Sequence, residues 1–306
     1  MGANFLRDII SFVVTLVTAT LRDLPQALLR LVPYIGFLVL FGGFVFWNGG
    51  VVLGDKENHV ASLHLPQMLY LWVYIAFFSW PLLVPYILDG AGVTPYLPEF
   101  FRHEGVKARL PGVILASLLC AVMVAAVQYN TIVHPFTLAD NRHYVFYVFR
   151  ILLRHPSIKI VAVPVYFFSA WATLASMGAS KPEVDAQPKG EKEAAGQQAT
   201  EGRDSFGLSF VLIWLLSSAL SLITAPLVEP RYFIIPWVIW RLHVPQISPK
   251  HDRSLKGGFN WFPHTDLRLY IETLWYMIIN ITTGYMFLYR GFEWKQEPDH
   301  VQRFMW

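Results

Sequence analysis

LPGVILASLLCAVMVAAVQYNTIV, Leu110–Val133, holds no charged side chain from end to end. A helix crosses a hydrocarbon core with roughly 20 such residues. Four other stretches read the same way: Pro33–Leu53, Pro66–Leu88, Ile158–Met177 and Phe206–Leu227. Leu269–Tyr289 is a sixth, carrying Glu272 near its start. In Tyr232–Ile247 the apolar part stops at Trp240, before Arg241, which predicts a short tilted span or a re-entrant piece. The fold class is therefore all-α: a polytopic transmembrane protein of about six or seven membrane helices.

Composition agrees. Of 306 residues, 55% are hydrophobic and only 15% charged, against about 25% charged in soluble domains. The net charge of +3 comes without a basic block, which excludes a nucleic-acid surface. The single cysteine, Cys120, rules out a disulfide within the chain.

Residues 3–30 differ from the spans. Ile9–Leu21 is apolar but short, and Arg7, Asp8, Arg22, Asp23 and Arg30 interrupt it, so the pattern predicts an amphipathic helix lying in the interface. Prolines 81, 85 and 164 fall inside spans and predict kinks. Ala179–Ser205 has no aromatic residue and mixes lysines with carboxylates; it reads as a disordered loop in a single domain covering 1–306. Glu272 is expected to pair with Arg268, one turn earlier on the same helix face. Basic residues in short loops mark the cytosolic side, and Arg102, Lys107 and Arg109 place the loop after the second span there. Three other loops then face a lumen, although Arg142, Arg150 and Arg154 blur that contrast.

Those three loops concentrate the reactive side chains: Asp55, Glu57 and His59 with His64 in the first, Asp140, Arg142 and His143 in the second, and Glu229 and Arg231 in the third. Each abuts a span, so together they can surround a site at the membrane surface. The residue types suit an anionic lipid head group. Arginine offers a planar fork of donors that matches phosphate oxygens, histidine donates or carries a proton, and carboxylates orient sugar hydroxyls or the basic groups. Asp55, Glu57, His59 and His64 also have the chemistry of a divalent-ion site, but no ligand spacing fixes one, and neither metal nor cofactor is expected. No Gly-rich phosphate loop, nucleophile elbow or paired-cysteine motif occurs.

Four elements carry a resemblance: Gly54-Asp55-Lys56 with His59, Leu138–Tyr147, Glu229-Pro230-Arg231-Tyr232, and the ending Gln302–Trp306. Together they resemble the dolichyl-phosphate-glucose α-1,2-glucosyltransferases of the endoplasmic reticulum membrane, a family of the GT-C class. The resemblance implies transfer of glucose from dolichyl phosphate glucose to the dolichyl-diphosphate oligosaccharide Glc2Man9GlcNAc2, in the lipid-linked assembly that serves protein N-glycosylation. It implies that Arg231, with Arg142 and His143, binds the donor phosphate, and that His59, Asp140 and Glu229 orient sugar. It also implies a general base on a lumenal loop that would precede residue 1, so the chain resembles the C-terminal two-thirds of a family member and is expected to be inactive alone. Asp55 and Glu57 are the substitutes for that base within this sequence. Two other classes stay open on residues alone. A non-catalytic membrane partner or regulator needs the same spans without the polar loops, and a transporter needs paired broken helices with mid-membrane charges.

Overall fold

The computed structural model describes residues 5–51, 53, 62–96, 108–178, 208–225, 227–245, 266–294 and 297–305. Asp55, Glu57, His59 and the 179–205 linker lie outside these, so the expectations placed on them are not addressed by it. The chain is a polytopic helical membrane protein. Its apolar helices are α1 (Phe5–Arg22), α2 (Leu24–Asn48), α3 (Pro66–Gly90) and α4 (Val113–Tyr129), then, after three short helices, α8 (Val163–Met177), α9 (Leu208–Leu222), α10 (Arg231–His243) and α11 (Leu267–Tyr289). The short helices are α5 (Pro135–Ala139), α6 (Tyr144–Leu152) and α7 (Pro156–Val161). A two-stranded hairpin, β1 (Phe292–Trp294) with β2 (Glu297–Gln302), follows α11 and departs from the all-α expectation.

Boundaries moved for local reasons. The amphipathic helix ends at Arg22, and α2 starts at Leu24, ahead of the expected Pro33, because Pro25 fits the first turn of a helix while Pro33 is carried inside it. Asn48 is the last residue of α2, and Gly49 caps it at φ 68°, a left-handed backbone that favours glycine. Pro164 lies inside the apolar helical stretch Pro156–Met177, just after its break at Ala162, as expected of a proline within a span. The short apolar segment before Arg241 forms α10, 13 residues long, roughly 20 Å at 1.5 Å per residue and so shorter than a ~30 Å hydrocarbon core.

α3 is the hub. It packs most broadly on α8 and α11, and also on α4, α9 and α10, with Leu71, Ile75, Leu82 and Leu83 buried. At Gly90 an added Cβ would collide with the ring of Trp171 on α8, so glycine sets the close approach there. The apolar stretch of α2, by contrast, is buried by none of the described residues.

The middle of α3 is bent at Ser79 (φ −125°, ψ 29°), just before Pro81. Pro81 has no amide to give the carbonyl of Phe77, and the indole N–H of Trp275 on α11 donates to that oxygen at 2.8 Å. Ser79 Oγ donates to Glu272 at 2.8 Å and accepts from Trp237 Nε1 at 3.0 Å. Glu272 is buried, and its carboxylate also accepts from Tyr276 OH at 2.9 Å and from Arg241 Nε and Nη2 at 2.9 and 2.6 Å. The expected Arg268 partner is therefore wrong. Asp266 caps α11 by accepting the Arg268 amide at 3.1 Å, and the Arg268 guanidinium folds back onto the same carboxylate at 2.6 Å. Arg268 also donates to the carbonyls of Leu82 and Pro245, at 3.3 and 3.0 Å. Glu272 is thereby left to face α3 and α10.

Glu272→Ala strips a partner from Arg241 inside the bundle, and breaking a buried pair costs about 3–5 kcal/mol. A lower unfolding midpoint in detergent is expected, whereas replacing both partners with apolar residues of similar volume (Glu272→Leu with Arg241→Met) should recover most of it. Equal midpoints for the single variant and the native chain would remove the pair from the stabilising core.

Candidate functional site

One end of the bundle is tied by a clasp of loop hydrogen bonds. The His64 amide donates to the carbonyl of Ile223 at 2.8 Å, and Gln67 Nε2 donates to those of Ala225 and Leu227 at 3.1 and 2.9 Å. Asn130 Nδ2 donates to the carbonyl of Leu63 at 2.9 Å, and the Ile132 amide donates to His64 Nε2 at 3.3 Å. These bonds join the start of α3, the end of α4 and the α9–α10 connection. His64 is fully buried in this clasp, which gives it a structural task.

The clasp brings two of the three polar loops to the same end. The segment after α4 carries Asp140, Arg142 and His143. Behind it Val145 packs on the core, and burial raises the Tyr144 hydroxyl pKa, as does, to a smaller degree, its neighbour Tyr74 on α3. The α9–α10 connection carries Glu229 and Arg231, and here Tyr232 packs on the core and Phe233 meets the same Tyr74, ring centroids 5.5 Å apart. The third loop, with Asp55, Glu57 and His59, is outside the described residues.

Each loop holds an acid-x-Arg pair. Asp140 accepts the Arg142 amide at 2.9 Å, Nε at 2.8 Å and Nη2 at 2.7 Å, and His143 Nε2 lies 3.6 Å away. Arg142 holds the Asp140 carboxyl below the usual carboxylate range, chiefly through those side-chain bonds and against partial desolvation. Glu229 pairs with Arg231 through Nε, and the guanidinium lies 5.7 Å over the ring of Tyr232. The Arg231 side chain is 72% exposed. Among the described residues no hydrogen bond or ion pair joins the two pairs to each other. The carboxylates orient the arginines, the second of the two roles the sequence allowed them.

The chain's end completes this surface. The Met305 amide donates to the carbonyl of Arg142 at 2.6 Å and bridges to His143, and Phe304 meets Tyr147 with ring centroids 6.2 Å apart. Arg303 Nη1 donates to the carbonyls of Phe287 and Leu288, at 2.6 and 2.7 Å, anchoring the tail on the end of α11. In the sequence that ending carried only a resemblance, and no local pattern signals a contact across 160 residues. The polar hub at Ser79, Arg241 and Glu272 was likewise missed, since its three members come from three helices.

Residues 2–242 match the profile of the DIE2/ALG10 family. The chain belongs to that family. It is 42% identical over 98% of its length to an Aspergillus fumigatus protein named Dol-P-Glc:Glc(2)Man(9)GlcNAc(2)-PP-Dol alpha-1,2-glucosyltransferase, covering 59% of that relative. Relatives bearing the same name in Pyricularia oryzae and Mus musculus are 40% and 30% identical, again over 98% of the chain, which covers 53% and 52% of them. The chain thus spans about half to three-fifths of the length of these curated relatives. No solved structure matches it significantly.

The acid-x-Arg geometry predicts a pH response. The folded pKa of Asp140 is depressed, so the pair's contribution is present above the ordinary value of 3.8 and is lost as pH falls through the folded value. Carbon NMR of the labelled carboxyl should titrate below 3.8, and Arg142→Gln should move the midpoint upward. A midpoint already at the ordinary value would show the pair unformed in solution.

Proposed function

We propose that this chain works in the endoplasmic reticulum membrane as a domain of an inverting α-1,2-glucosyltransferase, comprising residues 1–306 as one unit. In this reading it passes glucose from dolichyl phosphate glucose to Glc2Man9GlcNAc2-diphosphate-dolichol, the reaction its relatives are named for, in the assembly that serves protein N-glycosylation. A GT-C arrangement with the polar end toward the lumen is part of the proposal. What supports it is the 42% identity over 98% of the chain, together with the two arginines at one end of the bundle.

The chemistry follows from those side chains. An acceptor hydroxyl attacks the anomeric carbon, the new glycosidic bond forms as the carbon–oxygen bond to phosphate breaks, and dolichyl phosphate leaves with that electron pair. Arg231 leads in holding the departing phosphate, because its guanidinium is exposed while Glu229 engages it at Nε. Arg142 and His143 support it, with Arg142 held side-on by Asp140. Such preplaced donors stabilise charge as it grows in the transition state. The attacking hydroxyl's proton goes to a general base, to which we assign neither Asp140 nor Glu229, since each already holds an arginine. A sugar-orienting role for His59, and for the outer oxygens of Asp140 and Glu229, belongs to the same proposal.

The test is glucosyl transfer in cells lacking the family's enzyme, using a chain extended to its relatives' full length. Arg231→Ala should reduce triglucosylated lipid-linked oligosaccharide by about 10- to 150-fold, the loss of one charge-assisted bond of about 1.5–3 kcal/mol, with protein abundance unchanged. Normal product from a normally expressed Arg231→Ala chain would end the phosphate role. Absence of any product from the extended native chain would end the proposal and favour the non-catalytic partner.

A further inference from the structure

From Asn141 to Pro182 the sequence contains no carboxylate, while Arg142, Arg150, Arg154 and Lys159 fall within it. Three of these cations lie on α6, the turn that follows, and α7. Basic residues are disfavoured in short loops on a non-cytosolic face, so their presence at the same end as Arg142 and Arg231 asks for a reason.

The helix shows how they are used. Phe149 is buried, Val145 packs on the core, and Leu152 lines a narrow cleft, so these three define the inner face of α6. Its outer face exposes Tyr147, Val148 and Ile151 beside Arg150 and Arg154. The cleft on that inner side is also lined by Tyr70, Thr131, Tyr166 and Lys159. Arg150 lies over the ring of Phe146 at 5.9 Å. Among the described residues none of the three cations has a carboxylate within ion-pair distance, whereas Arg142 and Arg231 each have one.

We infer that the outer face of α6 and the α6–α7 turn form a second anion site, where Arg150 and Arg154 take the diphosphate of the polyprenyl-linked acceptor. This rests on the proposed function, which supplies two phosphate-bearing lipids of different charge. Charge complementarity assigns them. The more highly charged diphosphate goes to the cations that have no carboxylate partner among the described residues, and the monophosphate to the arginines already half-neutralised by Asp140 and Glu229. The exposed apolar residues of the same face accept the first isoprene units of a chain that stays in the membrane.

The full chain in discs of neutral lipid, titrated separately with a long-chain polyprenyl diphosphate and a polyprenyl monophosphate, tests it. Each surface cation near such a site contributes about fivefold, so Arg150→Gln/Arg154→Gln should weaken diphosphate binding by about 25-fold and monophosphate binding by less than about twofold. Arg154→Gln alone, at an exposed position beyond the helix, should cost about fivefold and covers the case in which the double variant does not fold. Arg150→Lys/Arg154→Lys should keep most of the affinity. Unchanged diphosphate binding, or equal loss for both probes, would overturn the assignment. So would phosphatidylserine in the disc competing as well as the diphosphate, which makes the face a general anionic-lipid surface. Arg231→Ala separates this from failure of the proposed function: monophosphate binding intact in that variant contradicts the donor site, while the α6 result stands on the diphosphate titration.

Discussion

The carbonyl of Phe77 loses its amide to Pro81, and the indole of Trp275 restores a partner to it from another helix. In a hydrocarbon solvent no water does this, so each proline inside a span has to be answered by a neighbour. That constraint places α11 against α3 at the bend. The bend in turn directs Ser79 at Glu272, and Glu272 draws Arg241 and Tyr276 inward. A charged pair in lipid persists where both partners are hydrogen-bonded, and here the carboxylate accepts from a serine, a tyrosine and a guanidinium. Three helices are thus located by one missing N–H.

At the other end of the same helix the task is different. Backbone and side-chain amides of His64, Gln67 and Asn130 bind the loop carbonyls of Ile223, Ala225 and Leu63. This end is rigid where the chain turns, and two exposed acid-x-Arg pairs stand on it. The spacing explains their form. Two residues apart, an aspartate caps the following turn through the backbone amide and reaches the arginine side chain as well, as Asp140 does with Arg142 and Asp266 with Arg268. The same local device serves a buried helix cap in one place and an exposed site in the other. Burial decides which: Arg268 is closed in by Leu82 and Pro245, while Arg231 stands out from the surface.

The C-terminal segment connects these themes. Arg303 bonds the last carbonyls of α11, the acceptors a helix end leaves without partners, and Met305 bonds the carbonyl of Arg142. The loop bearing Arg142 and His143 is therefore held from α4 on one side and by the tail on the other. Between them α6 lies with one face in the core and a cationic, apolar face outward, a division legible in the alternation of Val145, Phe149 and Leu152 with Arg150, Ile151 and Arg154.

By itself the sequence determined the solvent, the helical class and the loops where charge collects. Those properties depend on local composition: about 20 apolar residues in a row permit little else, and an acid-x-Arg spacing closes on itself. Four quoted elements also identified the family. The tertiary structure alone decided the partners of Glu272 and His64 and the docking of Met305 on Arg142. Helix spacing offered Arg268 to Glu272 as the nearest cation on its face, but Asp266 held Arg268 first through the cap, and the true partner came from 31 residues away. Periodicity reports which face of a helix is apolar. It does not report which neighbouring helix supplies the group that satisfies a buried charge, because that choice depends on packing between segments distant in the chain.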